Sequence, residues 1–209
     1  MDNRLTIHYL ALRRLIGIFA LSHPIVLYVG GKLLFSLDMQ DSMSHYYHTG
    51  MRDVFVGLDV TTGVFLLCYR GYSRQDQIAA LLAGACAIIV ALFPTAAAGD
   101  TSVLATIFSI THSLAAVVFL LALAYFCLIL FVKSAPGEVI TVEKRLRNIF
   151  YRICGFVILS VIAIFAAYAF MPWMQSTFKE TPFVFWMEFI AFWAFGLSWL
   201  VKGNVLRQR

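Results

Sequence analysis

The chain has 209 residues, of which 61% are hydrophobic and only 13% charged, with a formal net charge of +5. A soluble domain carries about a quarter charged residues, so the deficit excludes an ordinary water-solvated fold and points to lipid as the solvent. The basic residues sit in short stretches between apolar runs rather than in one patch, which fits membrane orientation and excludes nucleic acid as a partner.

The expected fold is all-α, a single bundle of six membrane-spanning helices. A span needs roughly 20 mostly apolar residues. Six stretches meet or approach that length, at 15–37, 51–70, 78–97, 103–132, 149–171 and 183–201. Arg13 and Arg14 before the first could mark a signal peptide, but the apolar run is long and no A-x-A-like cleavage site follows. His23-Pro24 lies inside this span and is expected to kink it. In the third span Ala79, Ala83, Ala87 and Ala91 form a small-residue stripe. Such stripes let helix backbones approach closely, so this helix is expected to be central. Ser134-Ala135-Pro136-Gly137 marks a turn between the fourth and fifth spans. In the sixth, Trp186 and Trp199 suit the two interfaces, whereas Trp193 is too deep and is expected to pack or to face lipid.

The loops give an orientation. Arg4, Arg13 and Arg14 precede the first span, and Arg70 and Arg74 follow the second. Lys133, Lys144, Arg145, Arg147 and Arg152 lie around the fourth-to-fifth loop, and Lys202, Arg207 and Arg209 follow the sixth. Lys32, Arg52 and Lys179 fall on the other side. Basic residues concentrate in cytoplasmic loops. Both termini are therefore expected in the cytoplasm.

Three ionisable groups inside spans call for explanation, Asp59, His112 and Glu188, and Lys32 is a fourth nearer a span end. Each costs at least about 2.5–3.5 kcal/mol on insertion scales, so each needs a partner or a wet cavity. At 1.5 Å rise per residue they lie roughly 9, 13, 8 and 8 Å below the outer ends of their spans, a common outer layer. The 44–53 loop above them adds His45, His48, Arg52 and Asp53. Arg52 and Asp59 are seven residues apart, so on a helix they share a face and are expected to pair. His45 and His48, three apart, are expected to face one side.

Three readings of this cluster stand side by side. The polar groups could be structural links between helices. They could line a cavity that binds a lipid headgroup or another amphipathic ligand. They could be catalytic, either as zinc held by His45, His48 and His112 or as an acid–base pair of His112 and Glu188. No cofactor is expected, zinc being the one candidate. Ser44 and His48 match an S-x-x-x-H spacing used by intramembrane metal hydrolases. Those proteins also carry H-x-x-x-H in the last span, where this chain has no histidine. The four cysteines, Cys68, Cys86, Cys127 and Cys154, form no C-x-x-C pair and read as small buried hydrophobes.

Thr49-Gly50, Phe55, Gly57, Tyr69-Arg70, the alanine-rich third span, His112 with Ala115 and Ala116, and Glu188 together resemble the six-span Frag/DRAM-like membrane proteins. That family's loop before the second span reads P-Y-I-S-D-T-G, and here S-H-Y-Y-H-T-G stands in its place. The departure places the chain nearer an uncharacterised bacterial branch. The resemblance implies a six-span bundle and a link to lipids. The expected function is a non-enzymatic protein that binds, senses or organises lipid through a polar cavity in the outer half of the membrane. The alternative is an intramembrane lipid-modifying enzyme using the same residues.

Overall fold

The structure is a computed structural model describing residues 3–71, 73–134, 137 and 139–203, with side chains from Leu10 onward. Arg207, Arg209 and the Ala135-Pro136 part of the expected turn lie outside the described residues. The described residues form helices and no strands. These are α1 (Asn3–Phe35), α2 (Arg52–Cys68), α3 (Arg74–Leu92), α4 (Val103–Tyr125), α5 (Val142–Phe170), α6 (Pro172–Phe178) and α7 (Phe183–Lys202). A 3-10 turn spans Ser44–His48, and a π-helical segment, Phe126–Leu130, continues α4. Five helices are long and apolar enough to cross a membrane: α1 from Leu10, α3, α4 with its π segment, α5 and α7. α2 has 17 residues, roughly 26 Å at 1.5 Å per residue, and falls short of that length.

Local chemistry sets the boundaries. Ser73 begins α3 with a reciprocal capping box: its hydroxyl accepts the Asp76 N–H while Asp76 accepts the Ser73 N–H. Helix α3 therefore starts before the expected Ile78. It ends at Leu92 rather than Ala97, because the residue before a proline is pushed out of the helical region and Phe93, preceding Pro94, is extended. Ser102 and Thr141 cap α4 and α5 by a single bond each, their hydroxyls accepting the Ala105 and Lys144 N–H groups. Pro172 at the first position starts the short α6, which the hydropathy pattern does not reveal. Ser36 takes a left-handed backbone, φ 54°, and closes α1. Pro24 lies inside α1, which continues through it as one helix.

The six long helices close a ring in chain order, α1–α2–α3–α4–α5–α7, with α7 returning against α1. Helix α3 is thus one stave of the ring between α2 and α4, which corrects its expected central place. Its alanine stripe is buried, and it supports close pairing within the wall. Two glycine pairs mark the closest crossings. A Cβ on Gly63 would stand 2.8 Å from Gly84 O, and one on Gly17 would stand 2.9 Å from Gly196 O. Trp193, partly exposed, donates its indole N–H to Leu21 O at 3.1 Å and so ties α7 to α1.

One end of the ring is filled. Tyr69, Phe126, Phe131 and Trp199 pack through edge-to-face and tilted ring contacts and are almost fully buried. Arg13 donates to the Tyr69 hydroxyl at 3.3 Å, Arg14 to Gly203 O at 3.2 Å, and Lys202 to Phe131 O at 3.0 Å. Arg14 and Lys202 thereby serve carbonyls at helix ends, where cations are favoured.

Candidate functional site

The other end of the ring holds a cavity of about 630 Å³, to which α1, α2, α3, α4, α5 and α7 all contribute wall residues. Its lower wall is apolar, with Phe119, Leu120, Ile162, Phe165 and Phe192. Its upper part is polar, with His23, Asp59, His112 and Glu188 from the helices and Asp41, Ser42, Ser44, His45, Thr95 and Lys179 from the connecting segments.

The roof is built by α7 and the loop after α1. Phe185 N–H, one of the first donors of α7 with no partner inside its own helix, donates to Asp41 O at 2.8 Å. Met43 N–H donates to Glu188 Oε2 at 2.6 Å. Glu188 therefore clamps the roof while keeping part of its surface open to the cavity. His112 has an equally definite anchor. Its Nδ1 lies 2.8 Å from Phe93 O and 3.1 Å from Val90 O. Both partners are acceptors, so Nδ1 carries the proton and Nε2 of the neutral ring is an acceptor. Val90 O would ordinarily take the N–H four residues on, but that residue is Pro94, which has none. The imidazole makes good the loss.

His23 and Asp59 form the deepest polar pair. Both are buried, with Nδ1 3.6 Å from Oδ1, beyond hydrogen-bond reach. Neither His23 nitrogen has a hydrogen-bond partner. The ring is held by edge contacts with Phe55 and Phe192, at 6.1 and 5.0 Å between centroids.

His112, Glu188, Asp59 and His45 thus share one cavity. Lys32 does not. It sits in the last turn of α1, its long stem reaching outward to Asp38 at 3.1 Å with both side chains well exposed. Arg52 and Asp53 occupy the exposed first turn of α2 and do not line the cavity. Arg52 lies over the Tyr47 ring and donates to its hydroxyl at 2.9 Å, so the expected Arg52–Asp59 pair is replaced by Arg52–Tyr47 and His23–Asp59. Two helical turns separate Arg52 from Asp59, roughly 10 Å of rise, and the nearer aromatic wins. His48 is exposed and bonds Thr95 O at 2.7 Å, while His45 lines the cavity. Among the described residues no three His, Cys, Asp or Glu side chains converge as a metal-holding group, so His45, His48 and His112 do not form one.

Outside the spans, burial pushes the His45 imidazole below its ordinary value, an effect partly opposed by Asp41 and reinforced by His48. His23 was accessible to sequence reasoning. It is an ionisable group in the middle of an apolar run, the same signal that singles out His112.

Fold and site together define a helical membrane protein with a one-ended cavity, polar under its roof and apolar below. Comparison with protein-family models, with curated proteins and with solved structures finds no match.

Proposed function

We propose that this chain is a six-span protein of a bacterial inner membrane that binds a membrane-resident amphiphile in the ring cavity, without chemical turnover. The observation that carries the reading is the cavity's division into a polar layer, His23, Asp59, His112 and Glu188, above an apolar well of Phe119, Leu120, Ile162 and Phe165. Small-molecule sites have this character, with mostly apolar walls and a few placed polar groups. Helix α2 is the sixth span, made short because the polar 44–51 segment packs at its head. The arginines and lysines at the filled end support a cytoplasmic position for that end and for both termini. The cavity then lies towards the outer leaflet. The resemblance to Frag/DRAM-like proteins supports the same arrangement and the same link to lipids.

Lipid extraction and mass spectrometry of purified protein test this. A lipid retained in about one-to-one ratio is expected, and Leu120→Trp, which fills the well, should lose it. Retention no greater than that of an unrelated bundle protein would overturn the reading. Elemental analysis addresses the alternative, since stoichiometric zinc lost on His112→Ala would turn the conclusion to an enzyme.

A further inference from the structure

Resting on that binding reading, we infer that the ligand is an amphiphile with an amine headgroup, drawn sideways from the bilayer between α4 and α5. Three observations lead there.

The first is charge. The cavity is lined by three acidic side chains, Asp41, Asp59 and Glu188, against one basic side chain, Lys179, together with the imidazoles of His23, His45 and His112. Carboxylates within a membrane need compensation. Glu188 receives one backbone N–H from Met43, and Asp59 has His23 at a distance too long for a hydrogen bond. An anionic headgroup would add to this imbalance, whereas an ammonium corrects it.

The second is the unmet hydrogen-bonding capacity at the deepest point. His23 lines the cavity, is 1% exposed, and has no partner on either nitrogen. Buried polar atoms are nearly always satisfied. An ammonium N–H between Asp59 Oδ1 and His23 Nδ1 would serve both, with the aromatic rings of Phe55 and Phe192 beside it.

The third is the opening. On α4 the residues Val103, Ile107, Ile110, Leu114, Val117 and Leu121 recur at helical spacing and are exposed, the outward stripe of that helix. Val117 belongs to this stripe and also lines the cavity. On α5 the stripe Leu146, Ile149, Ile153, Phe156 reaches Phe170, which is 86% exposed and again lines the cavity. Small residues, Ser113 and Ala116 on α4 and Ala166 and Ala169 on α5, occupy the positions between. Lower down the two helices are in tight contact, Gly155 against Cys127 and Leu128. Cavity-lining residues of both helices are thus also exposed on the outer face at the cavity's height, among lipid-compatible side chains, and that is where a lateral entry would lie.

The test uses full-length protein in lipid nanodiscs and three radiolabelled probes of equal chain length: hexadecylamine, hexadecanol and hexadecanoate. Empty nanodiscs set the background. Hexadecylamine should bind saturably and at least about 10-fold more tightly than either comparator, a difference of about 1.4 kcal/mol. Glu188→Gln, which keeps an acceptor for Met43 N–H, and Asp59→Asn should each reduce that preference. Ala166→Trp should slow association of the amine several-fold. Equal binding of hexadecanol, or preference for hexadecanoate, overturns the amine assignment and leaves lipid binding in place. Unchanged association in Ala166→Trp overturns the lateral route. Saturable binding of none of the three removes both the inference and the reading on which it rests. The comparison among probes is made on the unmodified protein, so it stands even if a variant fails to fold.

Discussion

Arg52 and Asp59 share a face of α2, yet the aromatic ring of Tyr47 holds the arginine and His23 stands by the aspartate. Arg52→Ala should therefore leave the melting temperature in detergent within about 2 °C, since exposed pairs contribute little. A double-mutant cycle on His23→Gln and Asp59→Asn should instead give a coupling of about 0.5–3 kcal/mol. A cycle that couples Arg52 to Asp59 and not His23 to Asp59 would reverse this assignment. His45 adds a pH dependence. Its imidazole is held below the ordinary value of 6.5, so the unfolded chain binds the proton more readily. Its contribution is present in full above that value and is lost as pH falls below it. Melting temperature should decline more steeply below about pH 6.5 in the wild type than in His45→Gln. Parallel curves would exclude His45 as the source. At this scale the sequence was partly readable. Asp59, His112 and Glu188 stood out because charge inside an apolar run is costly. Lys32 stood out for the same reason and lies elsewhere, because a long side chain near a helix end reaches outward. The loop contributors Asp41, Ser42 and Thr95 carry no periodic signal, and only the tertiary fold brings them in.

Among the helices, the contact that matters most is backbone on backbone. Gly63 meets Gly84 across α2 and α3, with Ile88 Cγ1 2.7 Å from a Cβ placed at Gly63. Gly63→Ala should cost about 1–3 kcal/mol through overpacking. Gly57, on the same helix, has nothing within 4 Å of such a Cβ, and Gly57→Ala should be neutral or gain roughly 0.5–1 kcal/mol from the stiffer chain. Thermal melts of the two variants compare a crowded and an open position on one helix, and equal effects would contradict the crossing. The alanine stripe of α3 indicated close packing but not with which neighbour, because small-residue spacing specifies proximity and not partner. Pro94 and Ser73 were the better guides to where α3 begins and ends. Their effects are local, and hydropathy cannot register a cap.

For the molecule as a whole, the ring places the filled, arginine- and lysine-bearing end opposite the cavity. Reporter fusions after Lys202 and within the 38–50 loop should report opposite sides of the membrane, the first cytoplasmic. Two fusions on one side would mean an odd number of crossings and would remove α2 as a span. Five of the six expected stretches form helices long and apolar enough to cross a membrane, and they were legible because lipid imposes length. Closure of the ring was not, since hydropathy says nothing about which helices meet and α7 returns to α1 from the far end of the chain. The aromatic filling of Tyr69, Phe126, Phe131 and Trp199 has a consequence of its own. A well with a packed floor offers no way through at that end. On the proposed binding reading, an amphiphile held there would return to the leaflet that supplied it and gain no passage to the opposite side. Such a vessel samples its surroundings; it becomes a conduit only if four packed rings part.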